Sequence, residues 1–395
     1  MASDISLNAL KAAYYRANDS TLTQQQIAEK AGLGTQAQVS RLLAEAREHK
    51  VLREVFQFPA DLTEDERQQV ANSFFERHGE LEEALAQRAR DLRSVRAEGG
   101  SPFKRLHVVA APGVENEKDE NARERALQAF GISAAEIVAG YIDEAMICCV
   151  AWGRTIAATV RHVRTKSGKY PGKTFIPIAG EPTNHEPNGV SPSDAARTLS
   201  LAWPKSESKS LRGVQARIPQ SVYERDKDNI ARELIGYCEH YQEIFGRPGS
   251  QNRPLISEVP MILTGIGDAA TSKQPIEGVG SDPWYLETED AEGKDVLDLT
   301  VGNVGGVWVP RDDISEESKQ KVREVNLRWL GAQEDHFRRC SLNADMQRHH
   351  PGVVVLAVEP AKAKIILEAL YLVNVLIVSR QLAETLAVEL LHPKT

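Results

Sequence analysis

The sequence predicts an α/β protein with an all-α head: an N-terminal helix-turn-helix domain followed by a large doubly wound, Rossmann-like domain. Three observations predict it. Residues 5–46 carry apolar positions at helical spacing, punctuated by cap residues and a glycine. A charge-rich stretch over 61–97 ends in Gly99-Gly100-Ser101-Pro102, a clear break. From Arg105 onward, short apolar runs alternate with helical stretches, the pattern of a mainly parallel sheet covered on both faces. The expected boundaries are 1–57 for the head, 58–102 for a helical linker or oligomerisation segment, and 103–395 for the α/β domain.

In the head, residues 5–17 have the spacing of a first helix. Thr23 is a good N-cap, and Gln26 stands three residues later as in a capping box. Ala28 faces inward beside Ile27 and Ala31, where a small residue admits a second helix. Gly32 ends the helix, Leu33 plugs the core, and Thr35 caps the next helix, with Val39, Leu42, Leu43 and Ala46 on its apolar face. Two helices joined by a glycine turn are the layout of a DNA-reading motif, whose second helix enters the major groove. Gln36, Gln38, Ser40 and Arg41 are expected to face bases and phosphates, with Thr23 grouped beside them. Glutamine suits adenine, and arginine suits guanine or a phosphate. An ordinary helical hairpin is the alternative. Residues 50–60 alternate enough to suggest a short strand or wing.

In the large domain the expected strands are 106–112, 146–152, 174–180, 259–267, 296–309, 353–359 and 373–379. The expected helices are 119–139, 153–165, 226–245, 315–330, 360–371 and 379–391. Residues 181–213 read as long, polar and irregular. Ligands of such sheets sit beyond the carboxyl ends of the strands. There the sequence places Gly153-Arg154-Thr155, a glycine turn into a helix with backbone N–H groups, a hydroxyl and a charge, suited to an anion. It places further glycine turns at Gly265-Ile266-Gly267-Asp268 and at Gly302-Asn303-Val304-Gly305-Gly306, and Lys362 near the start of another helix.

Totals narrow the class. The chain has 395 residues, enough for two or three domains, and a net charge of −8. That balance argues against a chain coating nucleic acid over its whole surface, and leaves room for a small DNA-reading module. No apolar run reaches membrane-spanning length, and the first residues lack the pattern of a secretory signal. The four cysteines are too scattered for a disulfide scaffold or zinc motif, so a cytoplasmic protein is expected. Gly168-Lys169-Tyr170-Pro171-Gly172-Lys173-Thr174 ends like a phosphate loop, but its glycines are one residue too close and a strand follows. The basic stretch 161–173 reads as a solvated helix end and loop. His336, Cys340, His349 and His350 lack metal-ligand spacing. No metal and no cofactor is expected.

The ordered set VAWGRTIAATV (150–160), GIGDA (265–269), GNVGG (302–306) and KAKIILEALYLVNVLIVS (362–379), with QQQIAEKAGLG and VSRLLAEAREHKVL in the head and LEEAL at 81–85, resembles the SorC family of sugar-binding transcriptional regulators. That resemblance implies a non-catalytic sensor related to sugar-phosphate isomerases and deaminases, a small sugar or sugar-phosphate-like effector that in the family is usually phosphorylated, a homo-oligomer (dimer or tetramer), and palindromic double-stranded operator DNA as partner. By position it implies Gly153, Arg154 and Thr155 on an anion-binding turn, Gly265, Gly267 and Asp268 on another wall, Asn303 in place of an aspartate, and Lys362 at the pocket. The chain departs from the pattern at Gly180-Glu181, where paired glycines are usual, and at Val358-Glu359 before the pocket lysine. Gly180 and Glu181 are placed with the effector site. Carboxylates there repel phosphate, so the expected effector is sugar-like but neutral, cationic or otherwise unlike a simple sugar phosphate. An isomerase- or deaminase-like enzyme with an accessory head is the alternative, with Asp268, Glu181 and Lys362 as its candidate acid–base groups.

Overall fold

The computed structural model describes residues 5–18, 22–48, 64–95, 102–109, 111, 120–165, 172–181, 191–225, 230–246, 253–269, 296–346 and 349–391. Residues 50–60 and the phosphate-loop-like residues 168–171 lie outside that set.

The head is three helices: α1 (Leu7–Asn18), α2 (Gln24–Ala31) and α3 (Gln36–Glu48). They close over a small core of Leu10, Ile27, Ala28, Val39 and Leu43, each at most 1 % exposed. The capping box at Thr23 is complete. The Gln26 N–H donates to Thr23 Oγ1 at 3.3 Å, and the Thr23 N–H donates to Gln26 Oε1 at 2.8 Å. Gly32 takes the left-handed conformation, φ 63° and ψ 36°, that ends α2. Thr35 Oγ1 accepts from the Gln38 N–H, so α3 starts at Gln36. Thr23→Ala is expected to lower the stability of the head by about 1 kcal/mol, read as a drop in helical signal or melting temperature.

A helix of 32 residues, α4 (Glu64–Val95), leads into the large domain. At 1.5 Å per residue it spans about 48 Å. Its second half is built into that domain. Leu81, Leu85, Ala89 and Leu92 join the main core, and Glu82 Oε2 accepts from the Leu106 N–H at 2.7 Å. Arg93 is fully buried, donating to Tyr371 O and Ser341 Oγ.

The large domain contains β1 (Arg105–Val109), α5 (Glu120–Glu144), β2 (Ile147–Val150), α6 (Arg154–Val160), β3 (Thr174–Pro177), α7 (Pro192–Ala202) and the two-residue β4 (Glu207–Ser208). Three short helices follow, α8 (Gln220–Tyr223), α9 (Ile230–Ile235) and α10 (Glu239–Phe245). The chain continues through β5 (Met261–Asp268), β6 (Thr300–Val304), β7 (Val307–Pro310), α11 (Glu316–Leu327), α12 (Glu334–Met346), β8 (Gly352–Ala357), α13 (Ala363–Ala369), β9 (Val375–Ser379) and α14 (Arg380–Leu391). The parallel strands lie in the order β1-β9-β8-β5-β2-β3-β4. From β2 the chain moves outward to β3 and β4. It then returns to place β5 on the other side of β2 and moves outward again to β8 and β9. This is a doubly wound sheet, and its switch point lies between β2 and β5.

Both faces of the sheet are covered, which is why its strands read as continuous apolar runs. Alternate residues divide between two cores. Cys149, Ile262, Val353, Val355 and Leu376 face α4, α12, α13 and α14. Cys148, Met261, Leu263, Val354 and Ile377 face α5, α6 and α7.

Four expectations about this domain change. The run 296–309 is not one strand. It is a short 3-10 turn (Val296–Leu299) followed by the β6–β7 hairpin, reversed at Gly305-Gly306. Both glycines have positive φ, 54° and 89°, as a two-residue primed turn demands. Residues 226–245 are not a single helix, because Gly236 and Cys238 interrupt them. Residues 181–213 are not wholly irregular. They contain α7, whose first turn is capped by Ser191 Oγ accepting from the Asp194 N–H. Finally, Lys173 ends the basic stretch 161–173 but is not solvated. It is 1 % exposed, and its ammonium donates to Ala145 O at 2.8 Å and Asp143 O at 3.2 Å. Burial of a long cation is tolerated because carbonyls replace its water.

One contact between α4 and the large domain is sensitive to pH. Arg88 reaches Glu368 on α13 at 3.4 Å and Asp312 at 3.9 Å. Burial, then the neighbouring Asp312 carboxylate, pushes the Glu368 carboxyl from 4.5 up to about 7, against the pull of Arg88 and Lys364. A raised carboxyl pKa means that the folded chain holds an extra proton between those two values. Stability therefore falls as pH rises from about 4.5 to about 7 and levels off above. Glu368→Gln is expected to flatten that part of the curve of urea midpoint against pH.

Candidate functional site

The switch point holds a cavity of about 150 Å³. It opens where the carboxyl ends of β2 and β5 part. One wall is the turn Ala151-Trp152-Gly153-Arg154-Thr155, and a second is Thr264-Gly265-Ile266-Gly267 of β5. Asn303 and Gly305 come from the β6–β7 hairpin. Val358, Glu359 and Lys362 come from the segment after β8, and Arg123 and Leu127 from α5.

Each wall has a local cause. Gly153 leaves β2 at φ 119° and starts α6 without a side-chain cap. Thr155 and Thr264 are buried beside the cavity. Gly265 and Gly267 are not in a turn as expected from the sequence. They lie inside β5, which runs on past the parallel sheet and pairs antiparallel with β6 through Gly267↔Asn303 and Asp268↔Gly302. Gly302 and Gly267 fill tight places, whereas a Cβ on Gly265 would meet only Ile156 Cγ1 at 3.9 Å, an ordinary contact. A Cβ on Gly302 would stand 2.1 Å from Gly267 O, and one on Gly267 would stand 2.6 Å from Asn303 Nδ2. Asn303 is fixed by its Oδ1, which accepts from the Gly306 N–H at 3.2 Å. Trp152 leans on the fully buried Trp329, with ring centroids 5.6 Å apart and planes at 44°. Trp329 is anchored in turn by its indole N–H on Ala332 O.

Charge converges on Glu359. Its Oε1 lies 2.7 Å from Arg123 Nη2 and 3.9 Å from Arg154 Nη2, and its Oε2 lies 2.9 Å from Lys362 Nζ. Lys362, first, and Arg123 hold this carboxyl well below the usual carboxylate range, despite burial that acts the other way. Glu359 is thus ionised at every ordinary pH. The sequence reading treats it as a bare repulsive charge, whereas the fold surrounds it with three cations.

Of the residues expected at the site, the fold brings together Gly153, Arg154, Thr155, Gly265, Gly267, Asn303 and Lys362. It places three outside the cavity lining. Gly180 lies at the end of β3 against the 214–215 backbone, where a Cβ would meet Val214 O at 2.2 Å. Glu181 forms an isolated bridge with Gln215 and accepts from Ser191 Oγ at 2.7 Å. Asp268 is buried, paired with Gly302 on the far end of β5. Arg123 is a lining residue that sequence reasoning missed, and Trp152 and Thr264, next to the expected glycines, line the cavity as well. Arg123 meets Glu359 across 236 positions of chain, a pairing that local pattern does not signal.

In the head, Thr23, Gln36, Gln38, Ser40 and Arg41 are all exposed. Thr23 is already engaged as the cap of α2. Gln36, Gln38, Ser40 and Arg41 lie in the first six residues of α3, on the solvent side of buried Val39 and Leu43. His336 holds its own helix start, with Nδ1 accepting from the Gln333 N–H at 2.9 Å, and burial lowers its pKa to about 4. Among the described residues there is no cluster of three or more potential metal ligands, and no helix is long and apolar enough to cross a membrane.

No protein-family profile and no curated protein matches the chain. Several solved structures are similar to it. One is the full-length sorbitol operon regulator SorC from Klebsiella pneumoniae, at 17 % identity over 96 % of this chain and 97 % of that one, with a TM-score of 0.48. Another is a DeoR family transcriptional regulator from Listeria monocytogenes, at 18 % identity over 71 % and 92 %, with a TM-score of 0.45. A third is a transcriptional regulator from Streptococcus pneumoniae, at 15 % identity over 76 % and 95 %, with a TM-score of 0.45.

Proposed function

We propose that the chain is a transcription regulator whose affinity for double-stranded operator DNA is set by a small sugar-like molecule held at the switch point. The observation that carries this reading is the pairing, in one chain, of two unlike parts. One is a three-helix head that presents the polar start of α3 to solvent. The other is a polar, charge-lined cavity at the position where doubly wound sheets bind ligands. The chain works as a homo-oligomer, because palindromic half-sites require two heads at a fixed spacing. Ligand binding acts by favouring one subunit arrangement over another, and it changes DNA affinity only to the extent that it binds the two arrangements unequally.

The cavity favours a sensor over the enzyme alternative. Proton transfer needs an acid–base pair facing the substrate. Of Asp268, Glu181 and Lys362, Lys362 alone lines the cavity, and its ammonium is paired with Glu359, whose carboxyl Lys362 and Arg123 hold so far below the usual range that it is a poor proton acceptor.

The test is binding of the full chain to fragments from around its own gene. Saturable binding to one fragment over competitor DNA, weakening steeply with salt, is expected. Absence of any preference at low salt refutes the reading. Turnover of a sugar phosphate abolished by Lys362→Ala would favour the enzyme instead.

A further inference from the structure

We propose that Glu359 sets the ligand class of the cavity, so that it takes an uncharged polyhydroxylated molecule and turns away phosphorylated ones. This rests on the reading of the cavity as a ligand site. Among the described residues, Arg123, Arg154 and Lys362 are the cations on its lining, and all three point at one carboxylate that the chain itself supplies. Arg123 and Lys362 spend their short contacts on it, at 2.7 and 2.9 Å. Arg154 stands off at 3.9 Å with its side chain 35 % exposed, so water screens it. A phosphate entering here would lie beside a fixed negative charge and would have to pull the two half-buried cations from their partner. The three cations still outnumber the carboxylate, but the two strongest are engaged.

The same arrangement suits hydroxyl groups. An ionised carboxylate is an acceptor with about four lone-pair sites. Arg123 and Lys362 use one on each oxygen, which leaves both oxygens with acceptor capacity for ligand O–H donors. Charge-assisted bonds of this kind are stronger than neutral ones. The Asn303 amide, on the cavity lining from the β6–β7 hairpin, adds N–H donors, its Oδ1 already accepting from the Gly306 N–H. Trp152, braced by Trp329, offers an apolar ring for the C–H face of a sugar.

The experiment uses the full-length chain and two readouts, thermal shift and tryptophan fluorescence. The probes are aldoses, ketoses and alditols of five to seven carbons, their monophosphates where these exist, inorganic phosphate, and sulfate as a salt control. The wild type is expected to respond to an unphosphorylated member and not to its phosphate, nor to inorganic phosphate at millimolar concentration. Glu359→Gln is expected to gain saturable phosphate binding, with Kd at least about tenfold below that of the wild type. That gain should vanish in the Glu359→Gln, Arg154→Ala double variant. A wild type that saturates with phosphate or any phosphosugar overturns the proposal, as does a folded Glu359→Gln with no gain. If Glu359→Gln does not fold, Glu359→Ala replaces it. If neither folds, the wild-type panel decides, and silence toward every unphosphorylated member counts as refutation. DNA binding is scored separately. A chain that ignores DNA but keeps this ligand preference refutes the regulator reading alone.

Discussion

Gly306→Ala is expected to cost about 3 kcal/mol of stability and to disorganise the cavity from behind. Two effects add. The residue sits at φ 89°, where a side chain is strained by about 1 kcal/mol. An added Cβ would stand 2.2 Å from the Trp329 ring, and overpacking a close-packed interior costs about 1–3 kcal/mol. Trp329 is fully buried and cannot swing into solvent. Its displacement moves Trp152, and the turn itself carries Asn303 through the Gly306 N–H. Urea denaturation checks the stability loss, and near-ultraviolet circular dichroism checks the tryptophan pair. A variant with the wild-type midpoint would show that the hairpin yields more easily than its packing implies. Gly305→Ala is a useful companion, because its Cβ would meet Phe337 and Ile178 instead of Trp329.

Arg41→Ala is expected to weaken operator binding by roughly tenfold to a hundredfold while leaving the head folded. Arg41 is exposed on the same turn of α3 as Ser40, one residue from buried Leu43's neighbour Leu42, so its removal opens no cavity. A good arginine–guanine contact is worth about 1–3 kcal/mol of discrimination. If it contacts a base, the loss appears for the preferred fragment and not for random DNA. If it contacts a phosphate, both weaken alike and the salt slope falls by about one. Leu43→Ala is the contrasting change. Leu43 is 1 % exposed, so truncation unfolds the head and abolishes binding through stability, about 2–5 kcal/mol. Melting curves separate the two. An Arg41→Ala protein that binds the operator as tightly as the wild type would remove α3 as the reader.

These two cases divide along what chain order can express. The head was legible almost residue by residue. Thr23, Gln26, Gly32 and Thr35 act within a few positions of themselves, through caps and a left-handed turn, and their chemistry suffices to place α2 and α3. The strands were legible for a related reason: burial on both faces leaves an apolar run that needs no partner to be recognised. The hairpin at Gly305-Gly306 was passed over because an antiparallel excursion and a long strand look alike until register is known.

By itself, then, the sequence determined most of the local elements and seven of the residues that line the cavity: Gly153, Arg154, Thr155, Gly265, Gly267, Asn303 and Lys362. Their effect is short in range, acting on backbone geometry or supplying a group at a strand end. The strand order was decided only in three dimensions. It set β2 beside β5, opened the cavity between them, and excluded Gly180, Glu181 and Asp268 from its lining. It also brought Arg123 onto Glu359 from the far side of the chain. Electrostatic partners are fixed by distance in space, falling off over a few ångströms, and 236 positions of sequence carry no trace of it.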